Sequence, residues 1–230
     1  MSFIVLKDIR KNYTLGKTIV HALAGVDVEI FKGDYICIAG PSGSGKTTLL
    51  NMIGLLDVPS SGEIFFASKN ITQMTDKEVS KFRKQQIGFI FQSFNLIPVL
   101  NAYENIEFPL LLQRVESSER KKRIEQISEE VGIKNYLKHK PDELSGGQRQ
   151  RVAIARALVI KPSVILADEP TANLDSVNGQ NILQLMKKLN KEEKTTFIIA
   201  SHDHKIMEQA DKLIRVVDGK IAKRKNIFYC

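Results

Sequence analysis

The sequence predicts an α/β fold built on a parallel sheet that is covered on both faces. Three short apolar runs carry this prediction, because a strand that is apolar along its whole body is typical of a sheet buried on both sides. The runs are YICIAG (35–40), SVILADE (163–169) and TTFIIASH (195–202). Each ends in glycine or polar residues, and open α/β sheets bind ligands at the carboxyl ends of their strands. We therefore expect three strands to place functional residues at one edge of the sheet.

The opening region of the chain adds a second strand-rich part. Residues 3–66 are rich in strand-forming residues, and turns are predicted at 15–17 and 32–34, each centred on a glycine.

The middle of the chain changes character and is interpreted as a helical subdomain inserted into the α/β core. Residues 118–132 place Ile124, Ile127 and Val131 at helical spacing, with charges at the other positions. A further helix is predicted over 176–190, between the last two of the three apolar strands.

Composition limits the class of protein but does not select a function. The 230 residues are 43% hydrophobic and 26% charged, as in an ordinary globular protein with one core or a core and a satellite. The net charge of +8 is spread over short basic groups at 120–123, 187–188 and 220–225. Such groups are most often solvated helix faces, so no nucleic-acid partner is expected.

Cysteine usage and hydropathy indicate the compartment. Cys37 lies inside an apolar run and Cys230 is the last residue, which is neither a disulfide framework nor a metal site. The first residues lack the order of a secretory signal, and no apolar run approaches the ~18 residues that span a bilayer. We expect a soluble chain in a reducing compartment, whose membrane role comes only through a partner.

The first of two phosphate-binding motifs follows the first apolar strand. GPSGSGKT fits the P-loop pattern, in which glycines turn backbone N–H groups toward phosphate oxygens at a helix N-terminus. The lysine neutralises β- and γ-phosphate charge and the threonine hydroxyl ligates Mg²⁺. TTLLNMIGLL (47–56) is expected to be the helix that follows. The predicted ATP-binding residues here are Gly40, Pro41, Ser42, Gly43, Ser44, Gly45, Lys46, Thr47 and Thr48.

An acidic pair ends the second apolar strand. Asp168 is placed to organise Mg²⁺ through its water shell, the usual role of an aspartate on the strand beside a P-loop. Glu169, the next residue, is placed to polarise the attacking water as a general base.

A second glycine-rich motif, LSGGQ (144–148), raises the question of why one chain carries two phosphate cradles. Ser145 stands at an N-cap position, and Gly146 and Gly147 leave the backbone bare at the start of the helix QRQRVAIARAL. This start is therefore a second anion-binding helix N-terminus.

Together these motifs resemble the ATP-binding subunit of ABC transporters over nearly the whole chain. They stand in that family's order, with a lone glutamine at Gln92, ANLD at 172–175 and a histidine at His202 completing the set. The resemblance implies an α/β P-loop NTPase core with an N-terminal antiparallel β subdomain and an inserted helical subdomain. It divides the single nucleotide-binding domain, 1–230, into a RecA-like core with the β subdomain (1–92 and 159–230) and the helical subdomain (93–158).

The resemblance also answers the question of the two cradles. In this family two subunits face each other head to tail, with ATP between the P-loop of one and LSGGQ of the other. Dimer closure then depends on ATP, and hydrolysis removes the bridge. The residues implied to act on the opposite subunit's nucleotide are Ser145, Gly146, Gly147, Gln148 and Asp175.

The remaining roles are implied by position in the motifs. Gln92 would sense the metal and the attacking water, and His202 would hold the γ-phosphate. With Thr47 and Asp168, Gln92 completes the implied Mg²⁺ set. Tyr13 is the candidate for stacking on adenine, although a half-buried strand tyrosine is nearly as good an interpretation.

The segment after Gln92 is similar to the subgroup that serves lipoprotein release, macrolide efflux, peptide export and a cell-division complex. This resemblance implies a membrane permease partner with a large extracytoplasmic domain, and a location at the cytoplasmic face of the membrane. Phe94, Leu96 and the apolar residues up to Leu100 would help to line a groove for the partner's short helix; the alternative for each of these side chains is a place in a satellite core.

The alternative is a non-transport ABC ATPase that acts on nucleic acid or ribosomes. Such chains usually hold two cassettes or a long coiled-coil insertion, whereas this one has a single P-loop, a single LSGGQ and no sustained heptad. An ordinary P-loop kinase gives no account of LSGGQ.

Overall fold

The computed structural model describes residues 2–222, so Cys230 and residues 223–225 of the third basic group lie outside the described residues. Along residues 2–222 the strands are β1 (Ile4–Leu15), β2 (Thr18–Ile30), β3 (Tyr35–Ala39), β4 (Ser61–Phe66), β5 (Lys69–Asn70), β6 (Ile87–Ile90), β7 (Val164–Asp168), β8 (Thr196–Ala200), β9 (Lys212–Val217) and β10 (Lys220–Ala222). The α-helices are α1 (Lys46–Ile53), α2 (Asp76–Gln86), α3 (Ala102–Leu112), α4 (Ser117–Glu130), α5 (Gly146–Leu158), α6 (Ser176–Glu193) and α7 (His204–Gln209).

The three predicted apolar strands lie side by side at the centre of a six-stranded sheet. Its order is β10-β9-β3-β8-β7-β6, with β10 antiparallel to β9 and every other neighbouring pair parallel. Ile36 of β3 pairs with Ile198 of β8, and Ile165 of β7 pairs with Phe197. The predicted parallel sheet is therefore confirmed, with its carboxyl ends at one edge.

Alternating residues of the central strands enter two different apolar cores. Tyr35 and Cys37 of β3 join a core formed with α3, α4, α5 and α6, and Ile36 and Ile38 join a core formed with α1 and the N-terminal strands. All four side chains are fully buried. Since both faces of the sheet are covered, an apolar residue is required at every position, which explains the continuous runs in the sequence.

The N-terminal strands form a separate antiparallel sheet in the order β2-β1-β4-β5. The hairpin between β1 and β2 turns at Gly16, whose φ of 60° is left-handed, and pairs Leu15 with Thr18. The predicted α/β class with an N-terminal β part is therefore confirmed.

Two predicted helices occur where the spacing placed them. In α4, Ile124 and Ile127 face the core, and Val131 caps its end in the same cluster. The other helix, α6, was predicted to end at residue 190 but continues to Glu193, because Lys191 to Glu193 favour helix and Lys194 then ends it in the left-handed conformation.

The helix after the P-loop is shorter than predicted. It was expected over 47–56, but α1 ends at Ile53. A Cβ on Gly54 would lie 2.6 Å from the Phe89 ring and 2.8 Å from Leu166, so the backbone at Gly54 passes close to both side chains. The next residue, Leu55, has a φ of 54°, and the chain leaves the helix there. Among residues 2–222, none of the helices combines the length and the apolar character that crossing a membrane requires.

Candidate active site

The P-loop runs from the end of β3 into α1, and two of its glycines lie close to the backbones of β2 and β9. A Cβ on Gly40 would lie 2.1 Å from the Val216 carbonyl oxygen, and one on Gly45, whose φ is 104°, would lie 2.5 Å from the Ala22 carbonyl oxygen. Only glycine fits at either position. The loop therefore keeps a fixed shape with its backbone close to the sheet.

The start of α1 has open backbone donors. Gly45 is the N-cap residue and supplies no side chain to the first turn, whose N–H groups have no carbonyl partner within the helix. The Lys46 ammonium donates to the carbonyl oxygens of Gly40 and Pro41, each at 2.9 Å, so a positive charge lies over the loop. This combination is suited to a polyphosphate.

Thr47 and Asp168 bring two oxygen ligands together beside the loop. The Thr47 hydroxyl lies 3.4 Å from Oδ1 of Asp168, which ends β7. Burial, and next the charge of Glu169, raise the pKa of Asp168, while Thr47 and Lys46 act in the opposite direction. Hydroxyl and carboxylate oxygens are donors that Mg²⁺ accepts, so these residues fit that ion. No cluster of three His, Cys, Asp or Glu side chains suited to a metal occurs within residues 2–222.

Glu169 is held against the end of β8 by four hydrogen bonds. Its N–H donates to the Ala200 carbonyl oxygen at 2.9 Å, and its φ of 44° is uncommon for a residue with a side chain. Oε2 accepts from the Ser201 hydroxyl at 2.7 Å. Oε1 accepts from the His202 N–H at 3.2 Å and lies 2.6 Å from His202 Nδ1. Because a carboxylate only accepts, the imidazole proton of this bond is on Nδ1.

Gln92, at the start of the loop after β6, is exposed and tied to the segment after β7. The Asn173 side-chain amide donates to the Gln92 carbonyl oxygen at 2.9 Å. Two residues later Phe94 and Asn95 have φ values of 63° and 48°, and the Arg156 guanidinium of α5 donates to both of their carbonyl oxygens, at 2.8 and 2.6 Å. The helix that begins with LSGGQ therefore holds the loop that contains Gln92.

The LSGGQ motif forms a capped helix start, as predicted. The Ser145 hydroxyl accepts from the Gln148 N–H at 3.3 Å, and the Gln148 side chain accepts from the Ser145 N–H at 2.8 Å, which completes a capping box. A Cβ on Gly147 would lie 2.9 Å from Oδ1 of Asn178, and one on Gly146 would lie 3.3 Å from Leu174. The two glycines therefore let α5 approach the start of α6.

Asp175 is the N-cap of α6. Its carboxylate accepts from the N–H groups of Val177 and Asn178 at 3.1 and 3.0 Å and from the Asn178 side chain at 2.6 Å. The hydrogen bonds from Asn178 lower the pKa of this carboxyl below its ordinary value. Asn178 thus touches both Gly147 and Asp175, so two residues predicted to act in trans share one neighbour.

Tyr13, on β1, is half-buried beside the helix after the P-loop. Its hydroxyl donates to Oδ2 of Asp57 at 2.8 Å, and the Lys11 ammonium lies 5.0 Å from its ring centre and 2.6 Å from Oδ1 of Asp57. Burial, and next Asp57, raise the pKa of Tyr13. The ring is oriented by these contacts, and both interpretations of Tyr13 stay open.

The apolar segment after Gln92 divides between core and surface. Phe94 is buried beneath the Arg149 guanidinium, and Leu96 packs partly against the helical core, as a satellite core would require. Val99, in contrast, is 74% exposed, and with the exposed Pro98 it is open to a partner.

Four residues of this site were not predicted from the sequence, namely Asn173, Asn178, Arg156 and Ser201. Asn173 lies within the ANLD segment, Asn178 lies in the first turn of the helix that Asp175 caps, and Ser201 directly precedes His202. That position was the available signal, since polar side chains there commonly bond to the backbone.

A P-loop, an oxygen-ligand pair and a held carboxylate at the carboxyl edge of a parallel sheet define a P-loop nucleoside triphosphatase. A family model described as ABC transporter matches residues 23–172. An uncharacterized ABC transporter ATP-binding protein of Thermotoga maritima is 44% identical over 226 residues, 97% of this chain and 96% of that protein. The macrolide export ATP-binding/permease protein MacB of Bdellovibrio bacteriovorus is 44% identical over 94% of this chain and 33% of its own length.

A solved structure agrees in fold as well as in sequence. The ATP-binding cassette MJ0796, in a dimeric post-hydrolysis state bound to ADP and phosphate, superimposes with a TM-score of 0.90 at 42% identity, covering 99% of this chain and 100% of that one. The chain belongs to the ABC transporter family. It is an ATP-binding cassette and an ATPase, and the predicted fold class and family are confirmed.

Proposed function

We propose that this subunit hydrolyses ATP between two copies of itself and so drives a membrane partner. The observation that carries the proposal is the separation of the two phosphate-binding helix starts. Helix α1 packs on β1, β2, β7 and β8, whereas α5 packs on α3, α4, α6 and β6. A capped, glycine-led helix start that belongs to a different part of the molecule from the P-loop is suited to the nucleotide of a second subunit.

In the proposed dimer the residues divide between the two nucleotide contacts. The P-loop residues 40–48 and Tyr13 hold ATP in cis, and Ser145 to Gln148 with Asp175 meet the opposite subunit's nucleotide or P-loop. The dimeric state of the MJ0796 cassette supports this arrangement. Because ATP would contact both subunits, closure would depend on ATP and opening on its hydrolysis.

For hydrolysis we propose Glu169 as the general base, with Gln92 and His202 beside it. A water oxygen forms a bond to the γ-phosphorus, the bond from that phosphorus to the bridging oxygen breaks, and ADP leaves with the electron pair. The proton of the water passes to the Glu169 carboxylate. Mg²⁺, when bound, would neutralise phosphate charge, and Thr47, Asp168 and Gln92 are the residues proposed to hold it.

His202 suits a contact to the γ-phosphate as well as to Glu169. Its Nδ1 lies against the carboxylate, and 72% of its side chain is exposed, so a rotation can carry the ring to a neighbouring anion. As an imidazolium it would donate from both ring nitrogens.

The proposed partner is an integral membrane permease subunit with a large extracytoplasmic domain, engaged from the cytoplasmic face. Support comes from the 44% identity to the ATP-binding part of MacB, a macrolide export protein. The proposed use of the ATP is export, lipoprotein release or mechanotransmission through the membrane partner. We also propose that residues 93–158 form one helical subdomain, and that residues 1–92 and 159–230 form the core with the β subdomain.

The test of this function is Glu169→Gln, which keeps the shape of the side chain and removes its basic carboxylate. Turnover of ATP should fall by about 100-fold or more, while ATP still binds, because the P-loop is intact. Unhydrolysed ATP should hold two subunits together as a dimer in size-exclusion chromatography with light scattering.

The matched control is Glu125→Gln, the same chemical change on the exposed surface of α4, which should hydrolyse ATP normally. Wild-type turnover in Glu169→Gln, or a monomer in saturating ATP, would contradict the proposal.

A further inference from the structure

We propose that Ser201 is a positioning residue for hydrolysis, which fixes one oxygen of the Glu169 carboxylate so that only the other oxygen exchanges partners during turnover. The inference rests on the proposed role of Glu169 as the general base. Its observation is the unequal surroundings of the two carboxylate oxygens, Oε1 and Oε2.

The Ser201 hydroxyl is fixed in both position and direction. Ser201 follows β8, is fully buried, and donates its N–H to the Ile38 carbonyl oxygen at 3.0 Å. Its hydroxyl accepts from the Asp203 N–H at 3.1 Å and lies 2.7 Å from Oε2 of Glu169. Because an N–H can only donate, the hydroxyl hydrogen is left for the carboxylate. Oε2 therefore has a buried donor that cannot turn away.

Oε1 has one fixed and one mobile partner. It accepts from the backbone N–H of His202 at 3.2 Å, but its nearest donor is Nδ1 of the same residue at 2.6 Å, on an imidazole that is 72% exposed. An exposed side chain rotates on a fast timescale, whereas a fully buried hydroxyl between two partners does not. Of the two oxygens, Oε1 is thus the one whose partner can leave.

This asymmetry gives each oxygen a separate task. When the imidazole leaves Oε1, that oxygen has a free lone pair and accepts the proton of the attacking water. The carboxylate becomes a carboxylic acid with its proton on Oε1, which it later returns to solvent. Throughout, the Ser201 hydroxyl holds Oε2, so the carboxylate plane does not rotate away from the water. General-base catalysis depends on this orientation as well as on basicity.

The experiment compares three variants of the full chain with ATP and Mg²⁺. Ser201→Ala should lower kcat by about tenfold, equivalent to about 1.4 kcal/mol, while the KM for ATP stays within about twofold. Ser201→Thr, which keeps the hydroxyl, should recover most of kcat. Ser128→Ala is the matched control, since Ser128 is also fully buried and donates to a carbonyl oxygen, in α4. It should lose stability without losing kcat.

A purely structural role for Ser201 would give a different pattern. Ser201→Ala would then resemble Ser128→Ala, with a lower Tm and wild-type kcat for the folded protein, and this result would overturn the inference. If Ser201→Ala does not fold, Ser201→Cys replaces it in the experiment. The thiol has a similar shape but is a weaker donor, so Ser201→Cys should also lower kcat.

A double variant separates this inference from the proposed function. In a Glu169→Gln background, Ser201→Ala should cause no further loss of turnover, because there is no basic carboxylate left to orient. If Glu169→Gln hydrolyses ATP normally, the proposed base is wrong. If Glu169→Gln is inactive and Ser201→Ala is normal, only the role of Ser201 is wrong.

Discussion

The two helix starts proposed to bind phosphate differ in what satisfies their backbone N–H groups. The first turn of α1 follows Gly45 and has no side-chain cap, and its positive charge comes from Lys46 lying on the loop. The first turn of α5 is closed by the capping box between Ser145 and Gln148. One helix start is uncapped and carries a positive charge, whereas in the other the Ser145 side chain already accepts from one first-turn N–H group, that of Gln148.

Because of this difference, we expect the two helix starts to contribute differently to nucleotide binding. The P-loop has unpaired donors and a cation, so it gains most from binding a polyphosphate. The LSGGQ start keeps its shape without a ligand and offers only the bare backbone of its glycines. We therefore expect lesions in the P-loop to weaken binding by the monomer, and lesions in LSGGQ to spare it.

The largest effect on nucleotide affinity should come from Lys46→Ala. Loss of a charge-assisted contact to the phosphates should weaken ATP binding by about 1–3 kcal/mol, as measured by titration with a fluorescent ATP analogue. Lys121→Ala, on the exposed face of α4, is the control for loss of one charge. Unchanged affinity in Lys46→Ala would show that the open helix start does not hold the nucleotide.

A second effect, on turnover and not on nucleotide affinity, is expected at the link between the two regions. Arg156→Lys replaces a planar guanidinium, whose two terminal nitrogens donate separately to the Phe94 and Asn95 carbonyl oxygens, with a single ammonium on a shorter side chain, so the loop of Gln92 should loosen. Loss of one hydrogen bond to a charged group, about 1.5–3 kcal/mol, should lower turnover by roughly tenfold or more while ATP still binds.

Arg151→Lys is the control for that link, because Arg151 is on the same helix and also donates to a backbone carbonyl oxygen, that of Val131 in the helical part. Equal turnover in Arg156→Lys and Arg151→Lys would mean that α5 does not act on the Gln92 loop.

The smallest effect should be one of stability, at Asp168. Since burial raises the pKa of this carboxyl above 3.8, its ionised form is disfavoured in the folded protein. The stability that the group contributes is present below the unfolded-state pKa and is lost as pH rises through the folded-state pKa. Asp168→Asn should therefore raise Tm at pH 7, while ATPase activity falls.

The gain in Tm should shrink as the pH is lowered toward 3.8, as measured by thermal unfolding over a pH series. Asp142→Asn, an exposed aspartate outside the site, controls for the loss of a charge. A lower Tm for Asp168→Asn at pH 7 would contradict the stated balance of burial and charge.

The sequence predicted the three central strands of the parallel sheet better than the strands that flank them. Strands β3, β7 and β8 each contain at least four consecutive apolar residues because both faces of the sheet are covered, and this pattern can be recognised in the sequence alone. The flanking strands β6 and β9 were not singled out, since β6 has four residues and β9 mixes apolar residues with Lys212 and Arg215. Their assignment depends on pairing with β7 and β3, which are distant in sequence.

The site shows the same limit. The sequence motifs were sufficient to identify Lys46, Asp168 and Glu169, because a P-loop requires a lysine and a nearby carboxylate. They could not find the Ser201 hydroxyl that holds Glu169, since this contact depends on β8 lying next to β7.

The most direct test of the two-subunit site mixes two inactive variants. Ser145→Arg places a bulky side chain at the capped helix start, so it should bind ATP as a monomer but fail to close. Lys46→Ala damages only the P-loop. Neither variant alone should hydrolyse ATP at an appreciable rate.

In a mixed dimer, each site would join the P-loop of one subunit to the LSGGQ of the other, so one site carries both lesions and the other carries none. Random pairing makes about half of the dimers mixed, each with one intact site of two, so ATPase activity should rise to about a quarter of the wild-type rate. If LSGGQ served its own chain, every site would carry one lesion. No gain in activity, in a preparation where differently tagged subunits are shown to pair, would contradict the trans arrangement.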